Sequence, residues 1–138
     1  MHGLDGLTDY YDVQLKKHSH EMLLKNKNFR CSVSLLEEQL ELDKIIDEFQ
    51  PNIIVHLAAQ AGVRYSIENP KAYIDANIVG SFHVLEAAKR LKVEHLLMAS
   101  TSSVYGGNTN MPFYETEKAD TQLTLYAATK KSFLDMKM

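Results

Sequence analysis

The stretch Ile53-Ile54-Val55-His56-Leu57-Ala58-Ala59 decides the fold class of this chain. Its almost unbroken apolar run is typical of a strand that is covered on both faces of a parallel sheet. We predict this strand over residues 52–59 and a second buried strand over residues 93–100. Between them, Pro70 suits the first position of a helix that we predict over residues 70–91. A strand, a helix and a second strand in this order predict a parallel sheet with right-handed crossovers.

The same alternation extends toward both ends of the chain. Residues 1–5 resemble the end of a strand, 12–25 a helix, 29–33 a short strand and 38–49 an amphipathic helix. A last helix is predicted to start near Leu125. Residues 1–138 therefore predict one α/β domain, a Rossmann-like doubly wound parallel sheet. The predicted inward stripe of helix 70–91 is formed by Ile74, Ile78, Ser81, Leu85 and Ala88.

Composition excludes several classes of function. The 138 residues are 45% hydrophobic and 24% charged, with a net charge of −3, so no electrostatic case exists for nucleic-acid binding. The single Cys31 forbids a disulfide within the chain and is compatible with a cytoplasmic protein. We expect no membrane segment and no metal site, since the nearest histidine pair, His18 and His20, would point to different sides of a helix.

The residues that suggest chemistry lie near the end of the chain. A hydroxyl run, Ser100-Thr101-Ser102-Ser103, ends a predicted strand, and Tyr126 and Lys130 follow at a spacing of four on a predicted helix. A phenol titrates near pH 10, and a nearby cation favours its phenolate form, which can act as a base. The alternative for a Tyr and a Lys at this spacing is a solvated helix face.

Four stretches together resemble the extended short-chain dehydrogenase/reductase superfamily. They are Gly3-Leu4-Asp5-Gly6-Leu7-Thr8-Asp9-Tyr10-Tyr11-Asp12, His56-Leu57-Ala58-Ala59-Gln60-Ala61-Gly62-Val63-Arg64-Tyr65-Ser66, Asn77-Ile78-Val79-Gly80, and residues 101–130. They occur in the family's order. The likeness is greatest to the NAD-dependent epimerases and dehydratases of the UDP-glucuronate 4-epimerase type, which act on nucleotide sugars that feed polysaccharide biosynthesis.

The resemblance implies NAD as cofactor and a set of residues that hold it. Asp5, at the end of the first strand, would accept hydrogen bonds from the adenosine ribose, and its alternative is an ordinary turn residue. Asn77 would order the active site, and its alternative is a position on the helix surface. The full implied cofactor set is Asp5, Leu57, Ala58, Ala59, Asn77, Ser100, Tyr126 and Lys130. Where the family has an Asp near the adenine, this chain offers Ser34.

The resemblance also implies a reaction. Tyr126 and Lys130 would act with Thr101 in oxidising and re-reducing C4 of a UDP-sugar, and Arg64, Ser102 and Ser103 would contact that substrate. Dehydratases of the family carry an Asp and a Glu where this chain has Ser102 and Ser103, which disfavours the elimination of water. A UDP-sugar decarboxylase or dehydratase relative remains the alternative chemistry.

The chain departs from the family in one respect. It contains no G-x-x-G-x-x-G, the glycine-rich turn that seats the cofactor's pyrophosphate. We expect an interior fragment that lacks the first strand, this turn and the C-terminal substrate region. Such a chain would bind NAD weakly or not at all, would be inactive alone, and would form a homo-oligomer. The alternative function is a non-catalytic chain that binds nucleotide weakly or self-associates.

Overall fold

Short parallel strands alternate with helices along the chain, as the sequence predicts. The computed structural model describes residues 1–135, with side chains as far as Ser132. The elements are β1 (His2–Asp5), α1 (Val13–Leu24), β2 (Arg30–Val33), α2 (Gln39–Phe49), β3 (Ile53–His56), α3 (Tyr65–Glu68), α4 (Pro70–Tyr73), a π-helical segment (Ile74–Gly80), α5 (Ser81–Leu91), β4 (His95–Met98), a 3-10 helix (Ser102–Tyr105) and α6 (Leu125–Asp135).

The strands of the described residues form two parallel pairs. In the first pair β1 lies beside β2, with Gly3 opposite Cys31. In the second pair β3 lies beside β4, with Ile54 opposite Leu96. The α/β class with parallel strands is confirmed. A single sheet was predicted, but the strands form two separate pairs. Among residues 1–135, no strand hydrogen-bonds to one pair and to the other.

One apolar cluster carries both pairs. It is built from buried residues of α2 and α5, and Leu4 of β1, Ile54 of β3 and Leu96 of β4 pack against it; its buried members are Leu42, Ile46, Val84 and Ala87. Burying an aliphatic side chain of this size contributes about 1.5–3 kcal/mol. Both strand pairs therefore rest on the same helical layer, although they share no hydrogen bonds.

The helix predicted over residues 70–91 is continuous but not uniform. Its middle seven residues are wound as a π-helix between α4 and α5. Ser81, Leu85 and Ala88 are buried as predicted, but Ile74 is exposed, and Tyr73 and Asn77 are buried instead. A π-helical turn takes more residues than an α-helical turn, so it rotates the inward face relative to a regular 3.6-residue period.

The strand predicted over residues 52–59 ends at His56, and only one of its faces is covered. Ile53 and Val55 are 56% and 58% exposed, and Leu57, just beyond the strand, is 70% exposed. On β4, Leu97 pairs with Val55 and is also exposed. The prediction that this strand is buried on both faces is wrong. Among the described elements, α2 and α5 cover one face and α1 packs on β2 instead.

Across residues 1–135, no helix combines the length and the apolar character that crossing a bilayer requires.

We expect this chain to self-associate through the exposed face and edge of β3. Unpaired strand edges and apolar patches both seek partners. Sedimentation velocity at several concentrations should show a dimer or a larger species. Val55→Lys should shift the distribution toward monomer, whereas Leu40→Lys, at an exposed position of α2, should not. A monomer at every concentration would contradict this expectation.

Candidate functional site

The residues suggested by the sequence gather where the strands end. Asp5 ends β1, residues 57–59 follow β3, and Ser100 and Thr101 follow β4. Each of these groups therefore lies at the carboxyl end of a parallel strand, and open α/β proteins bind ligands at such strand ends. Helix α6, which carries Tyr126 and Lys130, contacts α3, α4, the π-helical segment and the 3-10 helix that follows β4.

Asn77 is the central structural residue of this region. Its side chain is 0% exposed. Its Oδ1 accepts a hydrogen bond from the Gln60 backbone N–H (2.7 Å), and its Nδ2 donates to the Gln60 carbonyl (3.0 Å) and to Thr129 Oγ1 (3.1 Å). The alternative of a helix-surface Asn is therefore wrong. Asn77 thus joins the loop after β3 to α6. Its partner on α6 is Thr129, the residue before Lys130.

The link continues to the candidate base. The Thr129 hydroxyl donates a hydrogen bond to the Tyr126 carbonyl (2.9 Å). Helix α6 is also fixed at its start, where the Ala127 N–H donates to Thr124 Oγ1 (3.2 Å). Tyr126 is half-buried, and Tyr73 meets its ring edge-on at a centroid distance of 6.0 Å. The backbone that carries Tyr126 is thus tied to the loop after β3 through two side chains.

Lys130 lies inside the structure rather than on a solvated face. It is buried, and burial lowers the pKa of its ammonium group. Buried His56 hydrogen-bonds to Ser81 Oγ through Nε2 (2.8 Å). Burial first, and the Lys130 charge second, lower the pKa of His56 to about 4. Neutral His56 therefore leaves the positive charge at this site to Lys130.

The hydroxyl run Ser100–Ser103 follows β4 and leads into the 3-10 helix. Thr101 caps the 3-10 helix, because its Oγ1 accepts a hydrogen bond from the Ser103 N–H (3.3 Å). Ser103 is half-buried, and Ser100 and Ser102 are exposed. Helix α6 packs against this 3-10 helix. The hydroxyl groups therefore lie on an element that contacts the helix of Tyr126 and Lys130.

Asp5 lies at the end of β1 and is not among the residues that line the nearby pocket. The Asp5 carboxylate accepts a hydrogen bond from the Leu7 N–H (2.7 Å). One of its two oxygens therefore acts as that of an ordinary turn residue. Beyond it lies a pocket of about 270 Å³ at the ends of β1, β2 and β3; its lining is Thr8, Leu35, Glu37, Gln60, Asn69, Lys71, Ala72, Asp75 and Ala76. The lining combines hydroxyl, amide and charged groups, and its Lys71 is ion-paired with Asp75.

Two further residues have local roles in this region. The Ser34 hydroxyl, expected near an adenine, donates to the Leu35 carbonyl (3.2 Å) and lies 3.4 Å from the Glu38 carboxylate. Arg64 is exposed at the start of α3, which contacts α6. In the part of the chain that the structure describes, no three His, Cys, Asp or Glu residues group in a way that could hold a metal ion.

The sequence reasoning missed several residues of this site. Tyr73 was given no role, although it lies four residues before Asn77, to which a role was assigned, and both are fully buried; this i, i+4 spacing was the available signal. Thr129 stands between Tyr126 and Lys130 but was given no role. Gln60 carries no local signal, because only its backbone groups bind Asn77.

Asn77→Ala should destabilise the chain by roughly 2–3 kcal/mol, because it leaves the part-buried backbone N–H and carbonyl of Gln60 without their partners. Urea unfolding followed by circular dichroism measures this loss. Asn52→Ala is the matched control, since its exposed amide contacts Glu94 at 3.3 Å, and it should cost less than about 0.5 kcal/mol. Equal losses for the two variants would contradict the role given to Asn77.

His56 should make the folded chain sensitive to acid. The unfolded chain binds a proton at His56 near pH 6.5, but the folded chain does so only near pH 4, so stability falls as pH drops between these values. The full loss is about 3 kcal/mol. In His56→Gln this part of the pH dependence should disappear, whereas His18→Gln, on the exposed side of α1, should retain it. Urea unfolding between pH 4 and 8 measures the difference.

The known proteins that this chain resembles in sequence include nucleotide-sugar epimerases and dehydratases. The family model described as GDP-mannose 4,6 dehydratase matches residues 1–136. A probable UDP-glucuronate 4-epimerase of Rhizobium meliloti is 54% identical over 130 residues, which cover 94% of this chain and 38% of that protein. A UDP-glucuronate 4-epimerase of Thermodesulfobacterium geofontis is 44% identical over 129 residues, covering 94% of this chain and 40% of that protein. The chain thus spans about two fifths of the length of these relatives.

Solved structures agree on the fold. A UDP-glucose 4-epimerase of Stenotrophomonas maltophila with bound NAD superimposes with a TM-score of 0.79 at 23% identity, over 96% of this chain and 38% of that one. A UDP-glucose 4-epimerase of Thermus thermophilus in complex with NAD gives 0.68 at 26% identity, over 97% and 49%. With its Rossmann-type fold and a family match along nearly its whole length, this chain belongs to the NAD-dependent epimerase/dehydratase family of extended short-chain dehydrogenases/reductases.

Proposed function

We propose that the protein represented by this chain is an NAD-dependent nucleotide-sugar epimerase of the UDP-glucuronate 4-epimerase type, acting in the cytoplasm. The observation that carries the proposal is the placement of Tyr126 and buried Lys130 on α6, against the 3-10 helix that follows Thr101. The names of the relatives support the choice of sugar nucleotide. Because the chain spans about two fifths of those relatives, the activity is proposed for the whole protein, and we expect none from the 138 residues alone.

The chain's own residues would handle the proton. Tyr126, as phenolate, accepts the proton of the sugar's 4-hydroxyl group and later returns it. Lys130 follows one helical turn later on the same face of α6. The Thr101 hydroxyl donates a hydrogen bond to the reacting oxygen, where negative charge develops. Epimerisation then requires that the sugar present its other face before hydrogen returns to C4, because the face that receives it sets the configuration.

The cofactor's contribution is redox chemistry. NAD, when bound, supplies the acceptor and the donor of the hydride at C4. Asp5 would hold the adenosine ribose through its carboxylate, and Lys130 would hold the nicotinamide ribose. Ala58, Ala59 and Ser100 are small and exposed at the strand ends, so they would allow the cofactor to lie close to the backbone. Leu57 completes the proposed cofactor contacts, and fully buried Asn77 would support them by holding the loop after β3.

Ser102 and Ser103 favour epimerisation over dehydration. Elimination of water from the sugar needs an acid and a base beyond the redox pair, and these two positions offer hydroxyl groups in place of carboxyl groups. Arg64 supplies the kind of donor that a uronate carboxylate or a diphosphate requires. A decarboxylase of the same family would use a similar donor, so it is the second candidate reaction.

A chimera provides the direct test of the proposed base. The 130 matching residues of the Rhizobium meliloti relative are replaced by those of this chain, and conversion of UDP-glucuronate to UDP-galacturonate is followed by chromatography. Tyr126→Phe should lower the rate by about 10²- to 10⁴-fold and leave NAD affinity nearly unchanged, because only the proton acceptor is lost. Lys130→Ala should weaken both the rate and NAD affinity.

Tyr114→Phe is the matched control, because it removes an exposed phenol of the loop before α6 and should change neither quantity. A near-normal rate in Tyr126→Phe would contradict the assignment of the base. Release of carbon dioxide from UDP-glucuronate by the chimera would favour the decarboxylase instead.

A further inference from the structure

Four tyrosines from four parts of the chain form a row of rings that ends at the candidate base. Tyr10 follows β1, Tyr65 begins α3, Tyr73 ends α4 and Tyr126 lies on α6. Successive ring centroids are 4.8, 6.2 and 6.0 Å apart. The proposed reaction uses only Tyr126, so the other three rings need a separate explanation.

Tyr73 is the buried member of the row. Its side chain is 0% exposed, and its hydroxyl donates to the carbonyls of Ala61 (2.6 Å) and Gly62. A phenol has one hydrogen, so two successive carbonyls of the loop after β3 share it. Burial, and secondly the neighbouring Tyr10, raise the pKa of Tyr73. Tyr73 therefore stays protonated and remains a donor at neutral pH.

Gly62 is enclosed between two phenol hydroxyls. Its φ of +99° lies in the region that favours glycine. A Cβ at this position would collide with the Tyr10 hydroxyl and would lie 3.5 Å from the Tyr73 hydroxyl. Tyr10 thus closes on the loop from the β1 side, while Tyr73 binds it from the α4 side. Arg64 comes two residues after Gly62, at the start of α3.

We propose that Tyr73 is a positioning residue that acts through two parts at once: its hydroxyl holds loop 60–64 against Tyr10, and its ring holds Tyr126 edge-on. The inference rests on the proposed function for the roles of Tyr126 and Arg64. It assigns different consequences to the two parts of one side chain. Loss of the hydroxyl frees the loop that leads to Arg64, and loss of the ring removes the support of Tyr126.

Two variants separate these consequences. Tyr73→Phe keeps the ring and removes the hydroxyl, whereas Tyr73→Leu removes both. In the 138-residue chain, hydrogen exchange measured by NMR should become about tenfold faster in Tyr73→Phe at the Gln60 amide, which is hydrogen-bonded to Asn77 within loop 60–64, because this loop loses a net hydrogen bond. Amides of β3 should be unchanged. Tyr114→Phe, which removes an exposed phenol, should leave both sets unchanged.

In the chimera, the two variants should differ in kinetics. Tyr73→Phe should raise KM for UDP-glucuronate about tenfold with little change in kcat, and Tyr73→Leu should lower kcat about tenfold as well. Unchanged loop exchange in Tyr73→Phe would overturn the inference, and so would equal kcat in the two variants. If Tyr73→Leu does not fold by circular dichroism, loop exchange and KM of Tyr73→Phe decide the matter.

The outcomes also separate this inference from the proposed function. Normal kinetics in both Tyr73 variants, with an inactive Tyr126→Phe, would overturn only the role of Tyr73. A fully active Tyr126→Phe would overturn the proposed base, and loop exchange would still decide whether Tyr73 holds the loop.

Discussion

The buried amide of Asn77 is the interaction on which the candidate site depends. An amide taken out of water must recover its hydrogen bonds inside the protein, and Asn77 does so with both backbone groups of Gln60 and with Thr129. These partners belong to the loop after β3 and to α6. A single side chain therefore fixes the distance between the strand end that would face a cofactor and the helix that carries Tyr126 and Lys130.

The π-helical segment makes this arrangement possible. A regular helix over residues 70–91 would continue the stripe of Ile74 and Ile78 toward the core. The wider winding over Ile74–Gly80 instead buries Tyr73 and Asn77 on the side of α6, and it returns Ser81, Val84 and Leu85 to the core within α5. Widened turns of this kind are often found at functional sites, because they direct polar groups inward without ending the helix. Here the two residues turned inward are the two that contact the α6 region.

Electrostatics follows from the same packing. His56 and Lys130 are both buried, and two neighbouring positive charges would be costly there. Burial and the charge of Lys130 keep His56 neutral, so it serves as a hydrogen-bond partner of Ser81. The exposed face of β3 shows the opposite situation, because Ile53 and Val55 face away from the helical layer that covers Ile54. The stable part of the chain is thus the face that rests on α2 and α5.

The sequence by itself determined the α/β class, the order of the strands and main helices, and the spacing of four residues between Tyr126 and Lys130 on one helix, because these depend on local periodicity. It also placed Asp5, Thr101 and residues 57–59 at strand ends. Only the tertiary structure decided which of these groups are buried: Lys130 leaves the solvated face, Asn77 leaves the helix surface, and β3 loses the cover on one side. Tyr73 and Gln60 acquire their roles from residues 11–17 positions away along the chain. Burial and hydrogen bonding of this kind arise from contacts between elements, which a local pattern does not contain.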